Sequence, residues 1–154
     1  MSEEPPDRLQ LHASCISLDG SAVLLRGPAG SGKSDLALRL VDAGALLVAD
    51  DLCEIRRVGA SLLADLPAAV DARFRGRIEV RGIGILTLPC AGATPLAMVA
   101  ELGPGEVDRL PPARETIYLG IALPLVVLDP FQASAAAKLR LLAKVGPRSI
   151  MRAP

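Results

Sequence analysis

The chain has 154 residues, 51% hydrophobic but only 2% aromatic, and contains no tryptophan. Lys plus Arg and Asp plus Glu each number 17, so there is no net basic field of the kind that holds bulk nucleic acid. The length suits one domain with a core of Leu, Val, Ala and Ile, and no apolar run approaches the ~20 residues of a membrane span. Cys15, Cys53 and Cys90 are widely spaced and odd in number, which points to buried thiols in a reducing cytoplasm rather than to a disulfide or a zinc site.

Residues 1–8 are acidic and proline-rich, unlike a signal peptide, and read as a disordered lead to a single domain over 9–147, with a loose tail at 148–154. Residues 9–18 alternate loosely as a strand, and Asp19-Gly20 turns them into a second strand at 21–26. Gly27-Pro28-Ala29-Gly30-Ser31-Gly32-Lys33-Ser34 follows and reads G-x-x-x-x-G-K-S. A helix comes next, with Leu36, Ala37, Leu40 and Val41 on one face and Gly44 at its end. Strand, glycine loop and helix form the context that makes the pattern a phosphate-binding loop. Glycines without Cβ atoms let backbone N–H groups converge on a polyphosphate, and the helix N-terminus adds partial positive charge. Lys33 supplies a mobile cation, and Ser34 offers a hydroxyl to Mg2+.

Residues 45–49 form a continuous apolar run, read as a strand buried on both faces and ending in Asp50-Asp51. Residues 53–58 alternate and turn at Gly59-Ala60 into 61–63, a second hairpin. Residues 67–74 fit a short helix or an irregular loop. Residues 77–88 read as a strand in which Gly82 and Gly84 mark a bulge or a close backbone approach. Thr94-Pro95 has the form of a helix start, with the helix running to Leu102 and stopping at Gly103-Pro104-Gly105. Late strands are expected at 116–119 and 125–128. A final helix, Ala135–Val145, is capped by Ser134, ended by Gly146-Pro147, and turns Leu139, Leu142 and Val145 to one face.

The paired aspartates end a strand beside the phosphate loop, where open α/β sheets place ligands. One carboxylate could take a proton while the other holds metal-bound water, but adjacent strand residues point to opposite faces. Both therefore serve only if the strand has already ended. Solvated strand-end aspartates are the plainer alternative. Glu79 is similarly either a ligand for a hard cation or a surface partner of Arg77 and Arg81. Arg73, Arg75, Arg77 and Arg81 form the densest basic stretch, suited to an acidic partner or to a solvated strand edge.

The phosphate loop, the Ala-Asp-Asp strand end and Ile78-Glu79-Val80-Arg81-Gly82-Ile83-Gly84-Ile85, in that order, resemble the catalytic domain of HPr kinase/phosphorylase over about residues 9–128. The last segment is similar to that family's second signature, close to L-E-x-R-G-x-G-I. The resemblance implies an α/β P-loop kinase domain like the nucleotide-binding domain of phosphoenolpyruvate carboxykinase, with a mixed sheet, β-hairpins and flanking helices. It implies ATP and Mg2+ as cofactors and HPr as the partner, phosphorylated on a serine. It further implies a hexamer, and the short form made of the catalytic domain alone. Asp51 would be the catalytic base, Asp50 the metal-side acid, and Glu79 a metal ligand with Ser34. His12 would lie by the catalytic aspartate, and Arg109, in Asp108-Arg109-Leu110, would stabilise transferring charge. The family's late P-V-x-x-G-R-N loop, linked to dephosphorylation, corresponds to residues 123–130, which hold neither Arg nor Gly. Two rival readings remain: a P-loop kinase for another substrate, and an ATP-sensing module with little turnover.

Overall fold

The computed structural model describes residues 7–103 and 108–152. In chain order the strands are β1 (Arg8–Leu11), β2 (Ala13–Leu18), β3 (Ser21–Arg26), β4 (Leu46–Ala49), β5 (Cys53–Val58) and β6 (Ser61–Asp65). They continue as β7 (Arg77–Val80), β8 (Gly84–Thr87), β9 (Thr94–Leu102), β10 (Arg114–Tyr118) and β11 (Ile121–Leu128). Two α-helices, α1 (Lys33–Asp42) and α2 (Ala135–Val145), complete a mixed α/β fold.

Nine strands form one sheet in the order β1-β5-β6-β9-β3-β2-β4, with β11 and then β10 branching from β9. The fork arises because β9 is long. Its first residues pair antiparallel with β6, its last four pair parallel with β11, and its other edge pairs parallel with β3. Helices α1 and α2 cover one face of the sheet, where Leu36, Leu40 and Leu139 pack on Ile16, Val23, Leu25, Met98 and Leu102. The opposite face carries a second apolar cluster, in which Leu24 and Val99 meet Ile55, Leu62 and Leu123.

Several local expectations hold. The Asp19-Gly20 hairpin joins β2 to β3 in register, and Gly59-Ala60 joins β5 to β6. Helix α1 buries Leu36, Ala37, Leu40 and Val41, the four residues its periodicity assigned inward. Its end is a Schellman motif, in which Ala45 N–H donates to Leu40 O and Gly44 N–H to Val41 O, both at 3.0 Å, with Gly44 at φ +110°.

Other expectations are corrected. Thr94–Leu102 is a central strand, not a helix. Thr-Pro looks like a helix start, but residues 95–100 are uniformly apolar and carry no polar face to turn outward. Pro95 is tolerated because it stands at the strand's exposed beginning. Residues 77–88 are a separate hairpin, β7–β8, and Gly82 makes its turn at φ +80° instead of a bulge. The first strand breaks at His12, where the chain leaves β5 for β3 and β4. The late strands are longer than expected and meet through Leu119-Gly120. Residues 72–74 form a 3-10 turn, resolving the open segment, and a second one follows at 147–149. Ser134 precedes α2 without a side-chain cap bond, and Val145 is exposed while Leu142 stays half-buried. Cys15 and Cys53 are buried as expected, whereas Cys90 is exposed. A hydrogen bond with Cys53, then burial, pushes the Cys15 thiol well above its ordinary value, which keeps it protonated and unreactive. Pro104 and Gly105 lie outside the described residues.

Nothing lies within 4 Å of a Cβ built on Gly44, so a side chain there would meet backbone strain alone. Gly44→Ala should lower unfolding stability by about 1–2 kcal/mol. Urea unfolding should show a lower midpoint at unchanged slope, and an unchanged midpoint would refute the motif.

Candidate active site

Strands β3, β4, β9 and β11 run in the same direction, and β2 runs against them. Their carboxyl ends and the start of β2 therefore share one rim. His12, the loop 27–34 and Asp50-Asp51 all fall on it.

The loop leaves β3 at Gly27, where the chain has no room for a side chain. A Cβ there would sit 2.6 Å from Ser31 Oγ and 2.7 Å from Leu102 O on β9. Ser31 N–H donates to Pro28 O at 3.1 Å, which closes the turn. Gly30 and Gly32 take φ of +78° and +97°, values that favour glycine. Gly32 is the N-cap of α1 and offers no side chain, so the first-turn N–H groups remain for an anion. Lys33 Nζ donates to Gly27 O at 2.6 Å and to Pro28 O at 3.1 Å, which keeps its charge over the loop. The buried Ser31 Oγ has no hydrogen-bond partner among the described residues.

Asp50 is the junction of the site. Its Oδ1 accepts from Ser34 Oγ and from Ser14 Oγ, each at 2.8 Å. A loop hydroxyl and a strand-end carboxylate thus meet with oxygen donors only, which suits Mg2+ bound together with phosphates. Strand β4 has ended at Ala49, so the alternation that would separate Asp50 from Asp51 no longer applies. Leu52 N–H donates back to Asp50 O at 2.8 Å, and Asp51 between them has φ +66°. That is a γ-turn of the rarer, strained kind, and it leaves Asp51 exposed.

Glu79, on β7, is exposed and lines a cleft of about 290 Å³ together with Asp50, Leu66, Phe74, Arg77 and Ile85. It forms no ion pair among the described residues. The basic stretch has mostly local partners. Arg75 donates to Asp65 at 2.8 Å, Arg73 pairs with Asp71, and Arg77 lies 4.4 Å from the centre of the Phe74 ring. His12 is exposed two residues before Ser14, on the same rim. Arg109 is not brought to this rim. It lines a second cavity of about 500 Å³ with Arg114, Val126 and Arg152, which shares no residue with the loop.

Sequence reading missed Ser14, and it missed Arg26. Arg26, the last residue before the loop, donates to Glu101, to Thr116 Oγ1 and to Tyr118 OH, the last two at 2.8 Å. Partial burial alone would lower its pKa, but these hydrogen bonds and the charges of Glu101 and Tyr118 outweigh it and raise the value. Both residues owe their roles to strand pairing, and no local pattern announces them.

A glycine loop opening a helix, with a strand-end acid bonded to its serine, defines an α/β domain with the geometry of a P-loop. The chain belongs to the family described as HPr Serine kinase C-terminal domain, which matches residues 5–91. It is 36% identical to the HPr kinase/phosphorylase of Aromatoleum aromaticum, over 75% of this chain and 40% of that protein. It is 33% identical to that of an Azoarcus species, over 97% of this chain and 50% of that protein. The chain thus spans half or less of the length of these curated relatives. Among solved structures, the Hpr(Ser) kinase/phosphatase from Coxiella burnetii matches with a TM-score of 0.75 and 26% identity, covering 89% of this chain and 95% of that one. The comparison agrees with a curled mixed sheet and two flanking helices.

Ser14→Ala removes one of the two donors to Asp50 and leaves the Ser34 bond. The Mg2+ concentration needed for half-maximal ATP binding should rise about tenfold. A Mg2+ titration by calorimetry checks this, and an unchanged midpoint would make Ser14 a bystander.

Proposed function

We propose that this chain transfers the γ-phosphate of ATP to a serine hydroxyl of the phosphocarrier protein HPr. The supporting observation is the carboxylate shared by Ser34 and Ser14, which ties the acid at the end of β4 to the phosphate loop. Family membership and the named activity of the relatives support HPr as the substrate. Bound Mg2+ would neutralise charge on the β- and γ-phosphates, held by Ser34 and Asp50, with Glu79 facing the same cleft.

The chain's own residues do the rest. Gly27, Pro28, Ala29, Gly30, Ser31 and Gly32 form the loop that wraps the phosphates. Pro28, which has no N–H, shapes the turn and accepts from Ser31 N–H. The backbone N–H groups that the turn leaves unpaired face the anion, and Lys33 holds the terminal phosphate. Asp51, exposed beside the cleft, takes the proton of the attacking serine as its oxygen bonds to phosphorus and ADP leaves. His12, on the same rim, orients the phosphate or the carboxylate. Arg109, expected to stabilise transferring charge, lines a separate cavity within this chain. Self-association into a hexamer belongs to the same proposal, and sedimentation of the purified chain checks it.

The experiment is mass spectrometry of HPr incubated with the protein, ATP and Mg2+. One phosphate should appear on a serine. Asp51→Asn should keep ATP binding and lose transfer by about 100- to 10,000-fold. ATP binding without transfer by the wild type would point instead to another substrate or to a sensing module. Phosphate added afterwards should leave phosphoseryl-HPr unchanged if the missing basic loop is what drives the reverse reaction.

A further inference from the structure

Phe131 is one of two phenylalanines in the chain, and it is 65% exposed. It belongs to neither apolar cluster. Its ring instead stands against the phosphate loop, with Cζ 3.3 Å and Cε1 3.4 Å from the position a Cβ on Gly32 would take. The segment carrying it is fixed from both sides. Arg39 on α1 donates to Pro130 O and pairs with Asp35, and Asp129 Oδ1 accepts Phe131 N–H at 3.0 Å. An exposed aromatic ring held in place in this way is open to stacking by a flat partner.

The sheet order says which partner. On one side of β3 lie β2 and β4, ending at Asp50, and on the other lie β9 and β11. Phe131 follows β11, two strands from the loop strand, or roughly 10 Å. A polyphosphate whose terminal group points toward Asp50 must extend its other end away from β4. That carries the ribose and base past the start of α1 toward Phe131.

We propose that Phe131 is the base platform of this site and stacks on the purine of the nucleotide whose phosphates the loop 27–34 holds. The inference rests on the nucleotide reading given above. It makes Phe131 a binding residue that acts on the base and not on the phosphates.

The test separates the two ends of the nucleotide with Mg-ATP and Mg-tripolyphosphate, which has no base. Phe131→Ala should weaken ATP binding roughly 5- to 150-fold and leave tripolyphosphate binding at the wild-type value. The chain has no tryptophan, so Phe131→Trp makes a single reporter. Its fluorescence should be quenched by ATP and unaffected by tripolyphosphate. Unchanged ATP affinity in Phe131→Ala would overturn the proposal. So would an equal loss for both ligands, which would reduce the ring to a support for Gly32. If the wild type bound neither ligand, the nucleotide reading itself would fail, and the base platform with it.

Discussion

The parallel pairing of β3 with β9 governs the geometry of the whole rim. It aligns Arg26 with Glu101 and brings Leu102 O to within 2.7 Å of where a Gly27 side chain would begin. A larger residue at Gly27 would push the two strands apart, and the phosphate loop would leave the sheet in another direction. Because β9 then pairs with β11, the same contact sets where Asp129, Pro130 and Phe131 lie relative to the helix start. The bond set of Arg26 reinforces it by tying β3 to β9 and β10 directly before the loop begins.

Around that frame the site divides by side. The acid side, beyond β2, holds Asp50, Asp51 and the cleft with Glu79. The other side, beyond β9, holds Phe131. The helix start lies between them, uncapped by any side chain. On the proposed nucleotide reading, the charged and the flat parts of the ligand would meet different strands, and each could change in sequence without disturbing the other.

Much of the fold was legible because its signals are local. Asp-Gly at 19–20 states a hairpin, the G-x-x-x-x-G-K-S loop states its own strand and helix, and the four inward residues of α1 follow its period. The failures came where a local signal met a tertiary demand. Thr94-Pro95 imitates a helix start, but the fold needs a central strand there, and an all-apolar run satisfies two buried faces. The Leu119-Gly120 turn holds Leu119 at φ +51°, an unusual value that no turn composition advertises, and Arg57 steadies it from β5 by donating to Leu119 O at 2.8 Å. In the site, the phosphate loop and the aspartate pair could be read from residue types. Ser14, Arg26 and Phe131 could not, because each acquires its meaning from a neighbour far away in the chain.

The bond from Ser34 to Asp50 closes a circuit. From Ser34 the chain runs up α1, reverses at Gly44, returns along β4 and ends at Asp50, whose carboxylate holds Ser34 again across a sequence separation of 16. The helix start, the Schellman turn and the strand end therefore lie on one closed loop of chain. The acid thus touches the loop through a single hydrogen bond, although sixteen positions of sequence separate the two residues.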